Sequence, residues 1–367
     1  MRVGLIIYGS LDTQSGGYLY DRMLVDHLRR RGDQVETISL PRRSYIRSFG
    51  DNLRGSVRQS LKLARWDVLL EDELNHPSLF RLNRQLRKRV AYPVISIIHH
   101  LRSCELRPTW QNRLYRHIEK RYLDSVDGFV FNSHTTGGEV EKLIGPGKPH
   151  VVAYPGRDHL DSIITREQVT KRAFSPGPLR IIFLGNLIPR KGLHVLLEVL
   201  CRLPRDSWQV EIVGSTDVDR AYTRAIRRQI VKRDLGQHVR ICGLLADSEL
   251  ADRLAKSQLL AVPSSYEGFG LAYLEAMGFG LPVIAFAVGA SREVVSPQQN
   301  GFLIDFGDVR GLAQAINKLS QDRDLLLDMS LNALDRYSHF PTWERTASQI
   351  RRFLHALSHS RTIRRGY

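Results

Sequence analysis

The sequence predicts an α/β protein of two doubly wound, parallel-sheet domains. Three observations predict it. The length of 367 residues suits two such domains better than one. Short apolar runs of strand length alternate with helical segments along nearly the whole chain. A polar stretch from Thr165 to Pro178, ending in Ser-Pro-Gly-Pro, divides that alternation and reads as a linker. With 42% hydrophobic residues there is material for two cores. Cys104, Cys201 and Cys242 lie far apart without CxxC spacing, which argues against a disulfide framework or a zinc site and fits a reduced compartment. The opening run Arg2–Tyr8 is too short for a secretory h-region. No apolar stretch approaches the roughly 20 residues of a membrane-spanning helix.

In the first half, Arg2–Tyr8 is a buried strand. A Gly-rich turn, Gly9 to Gly17, leads into a helix from Tyr18 to about Arg31. Strand, glycine loop and helix form the layout of a phosphate or nucleotide cradle. Gln34–Leu40, Trp66–Leu70, Pro93–Ile98, Gly128–Phe131 and Val151–Tyr154 follow as strands. The fourth of the half's six strands ends in His99-His100, where the ligands of α/β sheets bind, outside the carboxyl ends. Adjacent histidines without a third ligand do not make a metal site. Ser133 is placed to cap a helix from His134 to Leu143.

The second half opens with strand Leu179–Leu184 and the turn Gly185–Gly192, which carries Arg190 and Lys191 at the start of a helix. Two cations and a helix N-terminus there would converge on one anion. Strand Gln209–Val213 ends in Gly214-Ser215, and strand Val239–Ile241 leads to Cys242-Gly243-Leu244. Strand Leu259–Val262 then turns through Pro263 to Glu267, Gly268-Phe269-Gly270 and an apolar helix carrying Glu275. The glycines around Phe269 let backbone N–H groups approach a ligand closely. The helix start adds unpaired N–H groups, and the two glutamates suit hydroxyl-rich groups. Strands Val283–Ala285 and Phe302–Ile304, helices Val309–Leu319 and Asp322–Arg336, and an amphipathic helix Thr342–Leu357 complete the half, before a basic tail from Ser358.

Glu267 and Glu275, seven residues apart within Glu-Gly-Phe-Gly-Leu-x-x-Leu-Glu-Ala, resemble the E-x7-E motif of retaining glycosyltransferases of family 4, enzymes of the GT-B type. The resemblance runs from about Val3 to Ala347. It implies a GT-B fold of two Rossmann-like domains facing across a deep cleft. The domains would be 1–170, binding the acceptor, and 171–345, binding the nucleotide-sugar, with 346–367 crossing back to the first.

By the same resemblance, Gly16 and Gly17 lie against the donor diphosphate, and Arg190 and Lys191 bind it. Gly243 and Leu244 border the nucleobase, and Glu275 takes the ribose hydroxyls. Glu267, with the N–H groups of Phe269 and Gly270, holds sugar hydroxyls and the distal phosphate. A histidine of the first domain, His99 or His100, contacts the sugar near the reacting carbon, accepting or donating a hydrogen bond; His99 is preferred as the first residue after the apolar run. His99 and Glu267 are thus the catalytic candidates. The family usually shows two glycines where this chain has Gly289-Ala290, which leaves that loop's conformation open. The implied reaction moves a hexose-type sugar from a UDP- or GDP-sugar with retention, and needs no metal and no cofactor.

The net charge of +16 is not uniform along the chain, and two basic runs stand out in the first half. Arg42, Arg43, Arg47, Arg54, Arg58, Lys62 and Arg65 stand against Asp51 alone, and Lys88 belongs to a second basic run. The Pro41–Leu63 segment reads either as a solvated surface helix or as an amphipathic element on an anionic membrane surface. The second reading favours a lipid or lipid-linked acceptor at the cytoplasmic face of a membrane; a soluble sugar or metabolite is the alternative. The glutamate pair alone would suit a glycosidase, where phosphate-directed cations have no use. A basic nucleic-acid-binding protein is the non-enzyme alternative, and no RNP, KH or helix-turn-helix pattern supports it.

Overall fold

The structure is a computed structural model that describes residues 1–53, 55–87, 89–161 and 164–363. Arg54, Lys88 and residues 364–367 of the basic tail lie outside the described residues. The chain forms two compact units, one of Met1–Gly156 with Thr342–Tyr367, the other of Arg157–Pro341.

In the first unit, strands β1 (Arg2–Tyr8), β2 (Gln34–Leu40), β3 (Val68–Asp72), β4 (Val94–Ile98), β5 (Gly128–Phe131) and β6 (His150–Val152) pair in parallel in the order β2-β1-β3-β4-β5-β6. Its helices are α1 (Gly16–Arg30), α2 (Tyr45–Ser48), α3 (Gly55–Leu63), α4 (His76–Leu86), α5 (Thr109–Ser125), α6 (His134–Ile144) and a C-terminal helix, Trp343–Ile363. The strands are apolar on both faces because helices cover both. Val3, Leu5 and Ile7 of β1 and Ile95 and Ile97 of β4 pack with Leu24 and Leu28 of α1 and with Ile350 and Leu354 of the C-terminal helix. Ile6 and Ile98 point the other way, into a core with Leu79, Phe80, Tyr122 and Phe131. Polar clasps fix the C-terminal helix: Asp33 meets both the N-terminal ammonium and Arg351 Nε at 2.6 Å, and Thr346 Oγ1 donates to Tyr154 O at 2.7 Å.

In the second unit, α7 (Arg166–Ala173) precedes an alternation of β7 (Leu179–Leu184), α8 (Leu193–Leu200), β8 (Trp208–Val213), α9 (Arg220–Lys232), β9 (Val239–Gly243), α10 (Asp247–Lys256), β10 (Leu259–Ala261), α11 (Leu271–Gly278), β11 (Val283–Phe286), α12 (Ser291–Val294) and β12 (Gly301–Ile304). Helices α13 (Val309–Gln321) and α14 (Arg323–Ser338) close the unit. The sheet is parallel in the order β12-β11-β10-β7-β8-β9.

Two expectations need correction. The stretch 165–178 is not a plain linker, because α7 occupies it. Thr165 and Gln168 form a reciprocal capping box, Val169 and Ala173 are buried, and Arg172 donates to the carbonyls of Phe279 and Gly280 at 2.8 Å. The units therefore divide at Gly156/Arg157 and Pro341/Thr342 rather than at 170/171 and 345/346. The strand expected at Trp66–Leu70 instead runs from Val68 to Asp72, through two acidic residues. Pairing of Glu71 with Ser96 and of Asp72 with Ile97 continues the ladder there, and Glu71 is compensated by Asn83 Nδ2 at 2.9 Å. Tertiary pairing overrides the weak strand propensity of carboxylates.

Candidate active site

In each sheet, strand order reverses once, between β1 and β3 in the first unit and between β7 and β10 in the second. Ligands of open α/β sheets bind at such a point, outside the carboxyl ends of the strands. Several of the residues singled out in the sequence lie near these two places, while Gly243 and Leu244 lie at the sheet edge.

In the first unit, Gly16 and Gly17 open α1, and Ser15 caps it by accepting from Tyr18 N. A Cβ on Gly17 would stand 3.1 Å from His99 Cδ2, so glycine leaves the space the imidazole uses. His99 is 8% exposed. Its backbone N donates to Glu73 Oε2 at 3.1 Å, its Nε2 lies 3.3 Å from Asp21 Oδ1, and its carbonyl accepts from Asn132 at 2.9 Å. His100 turns to Glu105, at 2.9 Å. Of the two histidines, His99 is the one against the glycine loop.

Three carboxylates surround His99: Asp21 from α1, and Asp72 and Glu73 from the end of β3. Both aspartates are fully buried. Asp72 Oδ1 accepts from Leu74 N at 2.7 Å, while Asp72 Oδ2 and Asp21 Oδ2 have no hydrogen-bond partner among the described residues. Burial, then the charges of Glu73 and Asp21, push the Asp72 carboxyl well up. Burial pulls the His99 imidazole down, but Glu73, Asp21 and Asp72 outweigh it and hold it at about 10. Asp21, Asp72 and His99 also offer three ligand atoms within 4.8 Å of one another.

The sequence reading missed these acids. Asp21 had a signal: it falls at helical spacing between Tyr18 and Leu24–Val25, on the buried face. Asp72 and Glu73 lay beyond a strand end drawn two residues too early.

In the second unit, Lys191 follows β7 and Glu267 follows β10. Lys191 Nζ meets Glu267 Oε1 at 2.6 Å, and Ser264 Oγ donates to the same oxygen at 2.6 Å. Arg190 donates to Tyr266 O at 2.7 Å and stands 3.9 Å from Glu267 Oε2. The anion both cations face in this structure is Glu267 itself. Burial would raise this carboxyl, yet Lys191 and Arg190 hold it below the ordinary range. Ser265 N donates to Arg190 O at 2.8 Å, which zips the two turns together. Gly268, Phe269 and Gly270 lead from Glu267 into α11, with the Phe269 ring edge-on to Phe340.

Gly289 has φ +53, and a Cβ on it would meet Glu267 O at 2.0 Å. Ala290, at φ −83, needs no glycine, and its N donates to Glu267 O at 2.9 Å. The Gly289-Ala290 pair thus holds the backbone of Glu267.

Glu275 lies further along α11, 3.1 Å from His159 Nε2, with both side chains about nine-tenths buried. His159 was not anticipated, since the segment after Pro155-Gly156 carries no sequence signal of its own. Gly243 ends β9 at the sheet edge, two strands from β7, and Leu244 follows it half exposed.

Two parallel α/β sheets, with a glycine-rich turn at the first switch point and an Arg-Lys turn at the second, match the GT-B fold of glycosyltransferases. Residues 165–336 match the family model described as glycosyl transferases group 1, and the chain is a glycosyltransferase related to that family. It is 27% identical to the phosphatidyl-myo-inositol mannosyltransferase of Mycobacterium leprae, over 96% of each chain. It is 25% identical to the D-inositol 3-phosphate glycosyltransferase of Corynebacterium efficiens, over 66% of this chain and 59% of that one. Among solved structures, the sucrose-phosphate synthase of Thermosynechococcus elongatus aligns at a TM-score of 0.83 and 20% identity, over 98% of this chain and 99% of that one. Anabaena HepE in complex with UDP-glucose aligns at 0.76 and 20%, over 97% and 100%.

Proposed function

We propose that this chain is a retaining, family 4 glycosyltransferase that moves a hexose-type sugar from a UDP- or GDP-sugar to a hydroxyl of a membrane lipid or lipid-linked glycan. The observation that carries the reading is the cluster of Arg190, Lys191 and Glu267 at the β7/β10 switch point. Breaking an anomeric C–O bond leaves positive charge on the sugar and negative charge on the departing diphosphate. Fixed cations aimed at that diphosphate lower the barrier without any reorganisation during reaction. Arg190 and Lys191 are held in place by the Tyr266 carbonyl and Glu267 before any donor arrives. Their charge supplies this stabilisation, with no metal in the scheme. On this reading Glu275 holds the ribose, Gly243 and Leu244 border the base, and Glu267 with Phe269 and Gly270 orients the sugar.

The acceptor assignment draws on the first unit. Ile46, Leu53, Leu63, Leu106 and Trp110 are exposed and lie in the same segments as Arg43, Arg47, Arg58, Lys62, Arg107 and Arg113. Apolar side chains among arginines suit an anionic bilayer interface. The Mycobacterium leprae relative is named for a phosphatidylinositol acceptor. Among the described residues no helix is long and apolar enough to cross a membrane, so the proposed attachment is peripheral, on the cytoplasmic face. The Corynebacterium relative is named for a soluble inositol phosphate, which supports a soluble acceptor as the second reading.

The test is nucleotide release from a panel of UDP- and GDP-sugars, with and without phosphatidylinositol-containing vesicles, using Glu275→Ala as control. Turnover of one donor, raised by vesicles and lost in the variant, is the expected result. Turnover indifferent to vesicles, or vesicle binding unchanged when Arg42, Arg43 and Arg47 are charge-reversed, removes the lipid acceptor. Failure of the folded protein to turn over any donor removes the enzymatic reading.

A further inference from the structure

We propose that a basic groove in the second unit, on the α10 face of β7, β8 and β9, is a binding site for a small molecule carrying two phosphoryl groups, separate from the Arg190, Lys191 and Glu267 cluster. The fold leaves this face partly open. Helix α10 is the connection that returns from the edge strand β9 to β10, past β8 and β7. Strand β8 accordingly alternates: Trp208, Val210 and Ile212 are buried, while Gln209 is exposed and Glu211 half-buried. That pattern marks a strand with one covered face. The register sets Arg180 beside Gln209 and Glu211 beside Arg240, so these side chains share the open face.

The groove measures about 680 Å³, and among the described residues its charged lining is Arg180, Arg240, Arg253 and Lys256 against Glu211. Glu211 Oε1 accepts from Arg253 Nη1 at 2.8 Å and stands 3.9 Å from Arg240 Nη1, so one carboxylate oxygen serves two guanidiniums. Arg180 commits Nε to Lys256 O at 2.7 Å. Among the described residues neither Arg180 nor Lys256 has an ion-pair partner. A solvated face usually intersperses the two signs. Cations gathered in a concave wall instead focus positive potential on the space they enclose. The planar fork of arginine matches the oxygens of a phosphoryl group.

Size and spacing narrow the ligand. Arg180 and Arg240 stand on strands two apart, which sets their backbones roughly 10 Å from each other across the floor. The span and the volume exceed one phosphate ion and suit an organic anion of sugar-bisphosphate size. One phosphoryl group would meet Arg180 and Lys256, the other Arg240 and Arg253. The groove is also distinct from the candidate active site. None of Arg190, Lys191, Gly243, Glu267 and Glu275 lines it. Arg180 is the second residue of β7, whereas Lys191 follows the opposite end of that strand. The proposal therefore stands or falls without reference to the donor.

The experiment is isothermal titration of the full chain with fructose 1,6-bisphosphate and with inorganic phosphate, at about 0.15 M salt. The variants are Arg240→Gln/Lys256→Gln, Glu211→Gln and Arg190→Gln. Arg240 and Lys256 are exposed, so the double variant should melt with the parent, and its binding reports the groove rather than the fold. The bisphosphate should bind the parent about tenfold or more tighter than phosphate does. The double variant should weaken it by about tenfold or more, the usual effect of losing hydrogen bonds to a charged group. Glu211→Gln removes the competing acid and should tighten binding severalfold, while Arg190→Gln should leave it unchanged. Absence of bisphosphate binding on the order of 1 mM overturns the proposal. Binding lost in Arg190→Gln and kept in the double variant places the anion at the other cluster and overturns it too. Groove-dependent retention of an oligonucleotide or of anionic vesicles, without binding of the bisphosphate, gives the groove to a macromolecule and has the same consequence.

Discussion

Gly289→Ala is the most discriminating single-atom change in the second unit. The backbone at Gly289 is left-handed, with φ +53, and the added Cβ would stand 2.0 Å from the Glu267 carbonyl oxygen and 2.9 Å from its carbon. The left-handed conformation costs a non-glycine residue about 1–2 kcal/mol. The clash is with backbone, so no side chain can swing away, and forced overpacking of this kind costs about 1–3 kcal/mol more. The sum, roughly 2–5 kcal/mol, corresponds to a fall in melting temperature of about 5–15 °C for a domain of this size. Relief by movement would displace Glu267, and a misplacement of about 1 Å at a reacting centre costs on the order of 100-fold in rate.

Scanning calorimetry and donor turnover read the two effects. Ala290→Gly is the control, because Ala290 already has an ordinary φ of −83. It should cost no more than about 1 kcal/mol through added backbone freedom and leave turnover near normal. Gly289→Ala protein that melts within about 2 °C of the parent and turns over donor normally would show that this turn does not hold Glu267.

Lys191→Met should lower donor turnover by about 100- to 1000-fold, the usual cost of removing a fixed donor to a developing anion. It also takes a partner from buried Glu267, at a cost of up to about 3–5 kcal/mol by denaturant unfolding at pH 7. Because the folded Glu267 carboxyl lies below its usual range, its stabilising contribution is present above the unfolded value of about 4.3 and is lost as pH falls through the folded one. The variant's stability should therefore depend less on pH in that acid window, and an unchanged acid limb would contradict the pairing. Glu71→Gln tests the first unit in the opposite sense. Burial pushes Glu71 up to about 7, so the stability tied to its protonated form is complete below about 4.3 and drains away as pH rises through about 7. The uncharged variant should match the parent near pH 4 and exceed it by about 3 kcal/mol at pH 8, measured by denaturant titration at both values.

Much of the architecture was legible because parallel strands, buried on both faces, leave unbroken apolar runs such as Leu5–Ile7 and Ile95–Ile98. The Arg190-Lys191 and Glu267 turns were legible because glycines and charges sit directly after such runs. What the sequence hid was compensation at a distance. Asp72 reads as a loop acid until the ladder to Ile97 is known. Asp21 falls on the buried face of its helix, but its role shows only once His99, far along the chain, is placed against it. Helix α7 was masked by its polar composition, since what holds it is Arg172 reaching the carbonyls of Phe279 and Gly280. His159 acquires meaning only through Glu275.

The assignment of Thr342–Tyr367 to the first unit has a consequence for how the protein is made. The second unit is contiguous, and it emerges from the ribosome as one uninterrupted stretch that can fold as soon as it is clear. The first unit is split by it. At about 5–20 residues per second, its β-sheet waits on the order of ten seconds or longer with one side only partly covered, by α1, until Trp343, Ile350 and Leu354 complete that core with Leu24 and Leu28. During that interval the exposed apolar side is a natural client surface for a chaperone, and the nascent chain holds a finished second half beside an unfinished first.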